Sequence, residues 1–255
     1  MGGYSFDLSG RTALVTGASS GVGQCLAKAL AKSGARVALA ARRVDRLETL
    51  ASEIAADGGE SVCIQMDVSD EGSIISGFDA AESKFGMVDT IVANAGLARP
   101  GGALILPAAE FDDTLATNLR GVFLTAREGA RRILANTAGE RGRIVLISSI
   151  TAQEVTADMA AYSASKAAVT QMGRVLAKEW APQGLNVNVL APGYMVTEMT
   201  EAMWAHEAGK QLLDSFPRKR IMTVEALIPL LLYLSSDASR EVTGSIFTIE
   251  DGQTL

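Results

Sequence analysis

Tyr162 and Lys166 lie four apart in Tyr162-Ser163-Ala164-Ser165-Lys166, where a stretch of helical periodicity begins. Residues four apart on a helix share a face, so both side chains point to the same place. A phenol with an ordinary pKa near 10 is a poor base at neutral pH. A cation about 4 Å away at an effective dielectric near 20 is worth about 4 kcal/mol, roughly three pKa units. The pair is therefore a candidate general acid/base, with Lys166 expected to lower the pKa of Tyr162. Rival chemistries are few. His206 is the only histidine, and Cys25 and Cys63 form no CxxC or Cys/His pair, so neither a Ser-His-Asp triad nor a zinc site can be assembled and no metal is expected. The two cysteines read as small buried residues.

A second cluster lies near the N-terminus. Thr16-Gly17-Ala18-Ser19-Ser20-Gly21-Val22-Gly23 follows a β-branched run and leads into a helical one. Its glycines permit a tight turn and close backbone approach, and the helix N-terminus offers unpaired N–H groups and partial positive charge to a pyrophosphate. The spacing is GxxxGxG, not the GxGxxG of the common dinucleotide fingerprint. About 20 residues further on, an NAD-binding fold places Asp or Glu on the ribose 2′-OH. Ala41 stands there, followed by Arg42 and Arg43. Nothing then repels a 2′-phosphate, and a guanidinium can pair with it at roughly 1.5 to 3 kcal/mol per charge-assisted bond. This points to NADP(H), with Arg42 as the leading contact. The bland alternative is a solvated arginine pair. Asp45 reads as a first-turn helix charge.

The elements that must position these groups alternate. Strands are expected at Arg11 to Thr16, Arg36 to Ala40, Ser61 to Met66, Asp89 to Ala93, Arg143 to Ser148, Asn186 to Leu190 and Ser245 to Ile249. Helices are expected at Gly21 to Ser33, Asp45 to Ala56, Asp70 to Phe85, Phe111 to Asn136, Met159 to Trp180 and Val224 to Ser235. Strands apolar along their whole length, alternating with helices, predict an α/β fold: a doubly wound, parallel, seven-stranded, Rossmann-type sheet covered on both faces. No linker, charge run or repeat divides the chain, so 1–255 reads as one domain. The least patterned segment, 193–223, follows the sixth strand and is expected to be a substrate loop or lid, because ligands bind beyond strand ends in such sheets.

Composition narrows the function classes. With 255 residues, 48% hydrophobic and a net charge of −6, the chain can bury a large core, and the acidic balance with no basic block argues against a nucleic-acid partner. No apolar run approaches the roughly 18 residues that span a bilayer, and no membrane association is expected. The first residues lack the basic-then-apolar order of a signal peptide, which makes cytoplasmic residence the default.

Thr-Gly-Ala-Ser-Ser-Gly-Val-Gly resembles the opening motif of the short-chain dehydrogenase/reductase family, and the resemblance extends from Leu8 to Gly252. It implies Ser19 as a helper to Arg42 and Asp67, with Val68 beside it, on the adenine. Asn94-Ala95-Gly96 matches the family's Asn-Ala-Gly, Asn94 bracing the sheet, although Ala93 replaces a preceding Asn. Ser149 stands thirteen residues before Tyr162, the family's spacing for the serine that bonds the substrate carbonyl, while strand alternation turns Ser148 to the other side. Asn118 fits the residue that bends the long helix and holds a water in the proton relay to Lys166, itself the expected holder of the nicotinamide ribose hydroxyls. Pro192-Gly193-Tyr194-Met195-Val196-Thr197 resembles Pro-Gly-x-(Ile/Val)-x-Thr, whose backbone at Met195 and hydroxyl at Thr197 would hold the carboxamide. Asp251-Gly252-Gln253 departs from the family's Asp-Gly-Gly.

The expected activity is hydride transfer between NADP(H) and a small carbonyl or alcohol substrate, with a pocket wall drawn from Leu97, Ile150, Gln153, Val155, Tyr194, Met199, Met203 and Trp204. The nearest general pattern is that of 3-oxoacyl-[acyl-carrier-protein] reductases. The competing classes are a non-catalytic NADP(H)-sensing protein and a structural subunit of an active homologue. The resemblance also implies a homotetramer or homodimer.

Overall fold

The computed structural model describes residues 6–137 and 142–255. Strands β1 (Thr12–Thr16), β2 (Arg36–Ala41), β3 (Glu60–Gln65), β4 (Thr90–Ala93), β5 (Arg143–Ile147), β6 (Asn186–Pro192) and β7 (Ile246–Ile249) form one sheet in the order β3-β2-β1-β4-β5-β6-β7. Every pairing is parallel. Each strand expected from the sequence is present, with no end moved by more than two residues. β1, β4, β5 and β6 are buried along their length, which is why they read as continuous apolar runs.

Two cores lie on the two faces. Ile91 joins Phe78, Ile133, Leu146 and Val169 on one, whereas its neighbour Val92 joins Leu26, Leu39, Leu47 and Leu231 on the other, as the two-residue period of a strand requires. The covering helices are α1 (Gly21–Lys32), α2 (Val44–Ala56), α3 (Glu71–Phe85), α4 (Ala108–Leu115), α5 (Val122–Thr137), α6 (Ala160–Trp180), α7 (Glu201–Ala205), α8 (Glu207–Ser215) and α9 (Ile228–Ser235). The strand order reverses between β1 and β4, and the C-terminal ends of the strands around that point form the crevice where such sheets take ligands.

Two helices differ from expectation. The long helix begins at Ala108 and passes through a π-helical turn, Ala116–Gly121, before continuing as α5. Gly121 there lies so close to Val68 that a Cβ would come within 2.8 Å of its side chain. The segment from Val224 opens as a 3-10 turn through Leu227, and Pro229 sits in the first turn of α9, where its missing N–H is no loss. Cys25 and Cys63 are free and half-buried, less enclosed than expected because one lies beside the 224–227 turn and the other on the outermost strand β3.

At the opposite, N-terminal edge of the sheet, Arg11 hydrogen-bonds Asp237 and lies 3.5 Å from Asp89. Arg143, almost wholly buried, donates to the carbonyl of Ser236 at 3.1 Å and reaches Asp237 at 3.6 Å. Burial, with Arg11 beside it, pushes the Arg143 guanidinium below its ordinary pKa. These groups join the starts of β1, β4 and β5 to the turn after α9.

Candidate active site

The glycine turn sits at the C-terminal end of β1. Gly17 and Gly21 have φ of +68° and +54°, in the region that favours glycine, and a Cβ on Gly23 would collide with the carbonyl oxygen of Gly17. Ser20 begins α1 without a side-chain cap, so the first N–H groups of the helix are left for an incoming acceptor. Asn94, at the end of β4, braces this turn: its Nδ2 donates to the carbonyl of Thr16 at 2.9 Å, and the N–H groups of Asn94 and Ala95 both donate to the Thr16 hydroxyl.

At the end of β2 the two arginines lie in different surroundings. Arg43 donates to the hydroxyls of Ser19 at 3.1 Å and Ser20 at 2.8 Å. Arg42, the contact favoured from sequence, faces Asp67 instead. Burial works against charge on Asp67, but the hydroxyl and N–H of Ser69, with Arg42 nearby, outweigh it and hold the carboxyl below its ordinary pKa. The reason is alternation: β2 runs one residue further than expected, through Ala41, and successive residues beyond it turn to opposite sides. Val68 is buried against the π turn. Asp67 spends Oδ1 on Ser69, at 2.9 Å from its N–H and 2.7 Å from its hydroxyl, and Asp70 caps α3.

The chemical end is assembled from β5, α6 and the π turn. Ser149 follows β5 and accepts from the N–H and hydroxyl of Thr151 at 3.2 and 3.0 Å. Ser148 turns the other way and donates to the carbonyl of Lys166 at 2.9 Å, fastening α6 to the sheet. Lys166 is 3% exposed. Its Nζ donates to the carbonyl of Ile147 at 2.9 Å and lies 5.6 Å from the centroid of the Tyr162 ring. The shared face expected from the spacing is present, but the pKa argument changes sign. Burial raises the Tyr162 phenol, and the facing Ser149 hydroxyl only partly offsets this. Burial also pulls the Lys166 ammonium down to about 8. Desolvation disfavours both charged forms.

Asn118 is completely buried in the π turn. Its Oδ1 accepts from the N–H of Leu97 and its Nδ2 donates to the carbonyl of Leu97, both at 2.8 Å, with a further bond to Ser165 at 3.1 Å. Gly96 separates it from Lys166: a Cβ there would lie 3.4 Å from Asn118 Oδ1 and 3.5 Å from Lys166 Nζ.

The segment after β6 packs against the glycine turn. Thr197 packs against Gly21, a Cβ on which would lie 3.4 Å from its Cβ, and its N–H donates to the Thr200 hydroxyl at 3.0 Å. Met195 pairs with Met222 in a parallel bridge. Its side chain is buried in the core and is not a pocket wall. Tyr194 stacks on Phe216 with ring centroids 5.8 Å apart, meets the edge of Trp204 at 6.0 Å, and approaches the Thr156 hydroxyl at 3.2 Å. Tyr194 lies close enough to Tyr162 to oppose its ionisation. Of the other expected wall residues, Met203 lies on α7 beside Trp204, Met199 is half exposed, and Val155 is fully exposed. Ile150 and Gln153 border a small crevice with Ser149, Thr248 and Thr254 that neither Tyr162 nor Tyr194 lines.

Some contributors were not anticipated. Glu198 bridges Arg43 and Arg46; the signal was Arg46, one helical turn from Arg43. Gln253 accepts from the N–H of Tyr194 and donates to its carbonyl, tying Pro192-Gly193-Tyr194 to the tail. Asp251 adopts φ +56° and is gripped by Arg218 and Arg220 at 2.9 and 2.6 Å. Among the described residues no helix is long and apolar enough to cross a membrane.

A family model for short chain dehydrogenases matches residues 11–208. Gluconate 5-dehydrogenase of Gluconobacter oxydans is 37% identical over 98% of this chain and 97% of its own. D-threitol dehydrogenase of Mycolicibacterium smegmatis is 35% identical over 99% of this chain and 96% of its own. Among solved structures, a gluconate 5-dehydrogenase from Burkholderia cenocepacia in complex with NADP and tartrate superposes with a TM-score of 0.92 at 31% identity, covering 98% of this chain and 97% of that one. With its fold, its glycine turn and its Ser149, Tyr162 and Lys166 in register, the chain belongs to the short-chain dehydrogenase/reductase family of oxidoreductases.

Proposed function

We propose that the chain is an NADP(H)-dependent oxidoreductase that moves a hydride between the nicotinamide and a ketone or secondary alcohol, with Tyr162 as the general acid/base. The convergence of Ser149, Tyr162 and Lys166 beyond β5 carries this reading. The residues fit the cofactor. The uncapped start of α1 suits a pyrophosphate, and Arg43 with Ser19 and Ser20 suits a 2′-phosphate where Ala41 supplies no acid. Thr197 and the backbone at Met195 would meet the nicotinamide end.

When bound, the dinucleotide supplies or accepts the hydride. Ser149 hydrogen-bonds the substrate oxygen and steadies the charge that develops on it. The protonated phenol of Tyr162, kept neutral by burial, delivers its proton to that oxygen in reduction and takes it back in oxidation. Lys166 holds the nicotinamide ribose and passes protons inward from the side of Asn118. The segment 193–223 acts as a lid that keeps water from the carbonyl.

The substrate class that fits best is a polyhydroxy compound related to sugar acids and sugar alcohols. Gluconate and threitol dehydrogenases support it among the relatives, as does a wall in which aromatic faces sit beside the hydroxyls of Tyr194 and Thr156. The same reading includes cytoplasmic residence and assembly as a homotetramer or homodimer, supported by the exposed Val175 on α6 and the half-buried edge strand β7.

The test is turnover of the purified protein with NADPH, and with NADH as control, against keto acids, keto sugars and simple ketones. Tyr162→Phe should keep NADPH binding and lose about 100- to 10,000-fold in turnover. Turnover that survives the substitution, or binding without turnover on any carbonyl, overturns the enzyme reading. A clear NADH preference overturns the cofactor reading.

A further inference from the structure

We propose that Glu198 is a specificity-determining residue that stands in for the cofactor's 2′-phosphate, so that a 2′-phosphorylated cofactor must displace it and thereby release the segment after Thr197. The proposal rests on the NADP(H) reading above. The Glu198 carboxylate accepts from Arg43 at 3.2 and 3.4 Å and from Arg46 at 2.7 Å. Arg43 at the same time reaches the hydroxyls of Ser19 and Ser20. Two guanidinium groups and the Ser20 hydroxyl thus reach one anion, with the Ser19 hydroxyl fastened to Arg43 beside it, groups that a phosphate monoester at the end of β2 would also recruit. Those bonds hold the Glu198 carboxyl down to about 2, so it stays an anion across the working pH range.

The position of Glu198 in the chain gives the displacement its consequence. It directly follows Thr197, which packs on Gly21, and precedes α7 with Trp204. The segment that walls the substrate crevice is therefore tied by one carboxylate to the adenosine end of the cofactor site. The side chains of Arg43, Arg46 and Glu198 are each about half exposed, so an incoming anion can reach the cluster and the exchange disturbs no core. A cofactor without the 2′-phosphate leaves the tie intact. One with it competes for Arg43 and Arg46, repels Glu198, and frees the segment on binding.

The experiment uses the full chain, with adenosine 2′,5′-bisphosphate and adenosine 5′-monophosphate as probes in calorimetric titrations. Glu198→Gln should bind the bisphosphate about fivefold more tightly, the effect of removing two exposed ion pairs, and the monophosphate within twofold of the parent. With Trp180 replaced by Phe so that Trp204 alone reports, the bisphosphate should shift tryptophan emission and the monophosphate should not. In Glu198→Gln the shifted emission should be present before any ligand is added. An unchanged or weaker bisphosphate affinity in Glu198→Gln overturns the proposal, as does an emission shift common to both probes. Arg43→Ser separates the two readings. If it abolishes the preference for the bisphosphate while Glu198→Gln does nothing, only the role of Glu198 falls. If the parent shows no preference and Arg43→Ser changes nothing, the NADP(H) reading falls as well.

Discussion

Gln253 grips the backbone of Tyr194 with both ends of its amide, Oε1 accepting from the N–H at 2.7 Å and Nε2 donating to the carbonyl at 3.0 Å. Gln253 thus fixes the loop that carries the Tyr194 ring against Phe216 and Trp204. Gln253→Ala strands both groups and should lower stability by about 1–3 kcal/mol, measured by urea unfolding. Steady-state kinetics should show a larger rise in KM than loss in kcat, because in the proposed reaction Tyr194 positions the substrate and transfers no proton.

Lys166 makes stability depend on pH in a definite direction. Its folded pKa, about 8, lies below the ordinary 10.5, so burying its charge costs stability below about pH 8. The penalty disappears as pH rises through about 10.5, because the unfolded state binds more protons across that window. Relative to Lys166→Met, the parent chain should gain about 3 kcal/mol between pH 7 and pH 10.5. Denaturant unfolding of both proteins across that range checks the sign and the size.

Asn118→Leu keeps the volume but removes every bond that the side chain makes to Leu97 and Ser165. The loss should be about 1–3 kcal/mol, and amide exchange should quicken between residues 116 and 121 as the π turn loses the contact that holds it open. Unchanged exchange there would show that the turn is set by backbone packing alone.

Gly23→Ala places a methyl group against the carbonyl of Gly17 and 2.6 Å from Asn94 Nδ2. The turn must open, with a penalty of about 1–3 kcal/mol. NADPH affinity measured by fluorescence should fall at least tenfold, because the same movement tilts the start of α1 away from the pyrophosphate.

The sheet was legible from the sequence because its central strands are buried along their length and bounded by turn residues, which located each strand to within a residue or two. Tyr162 and Lys166 were legible as neighbours because helical spacing determines a shared face. Their electrostatics were not: spacing carries no information about desolvation, and here desolvation decides the direction for both. The π turn was invisible for a related reason. One extra residue in a helical turn leaves the apolar pattern almost unchanged, and what holds it is a contact from Asn118 to Leu97, twenty-one residues away. The different surroundings of Arg42 and Arg43 depend on where β2 stops, an end that sequence locates only to within a residue or two. Val155 was expected to line the pocket from its place in a loop, and loop residues carry no periodicity from which to infer a side.

The ion cluster of Arg11, Asp89, Arg143 and Asp237 lies at the end of the sheet away from the crevice, and it sets how the protein responds to heat. The penalty for keeping charges out of water shrinks as temperature rises, so such a cluster weakens less on warming than other contacts do. The crevice has no comparable reserve: the segment after β6 is held by half-exposed pairs and short helices, the kind of contact that opens first. Warming should therefore silence the enzyme at temperatures where its strands still hold together, and cooling should restore activity without refolding.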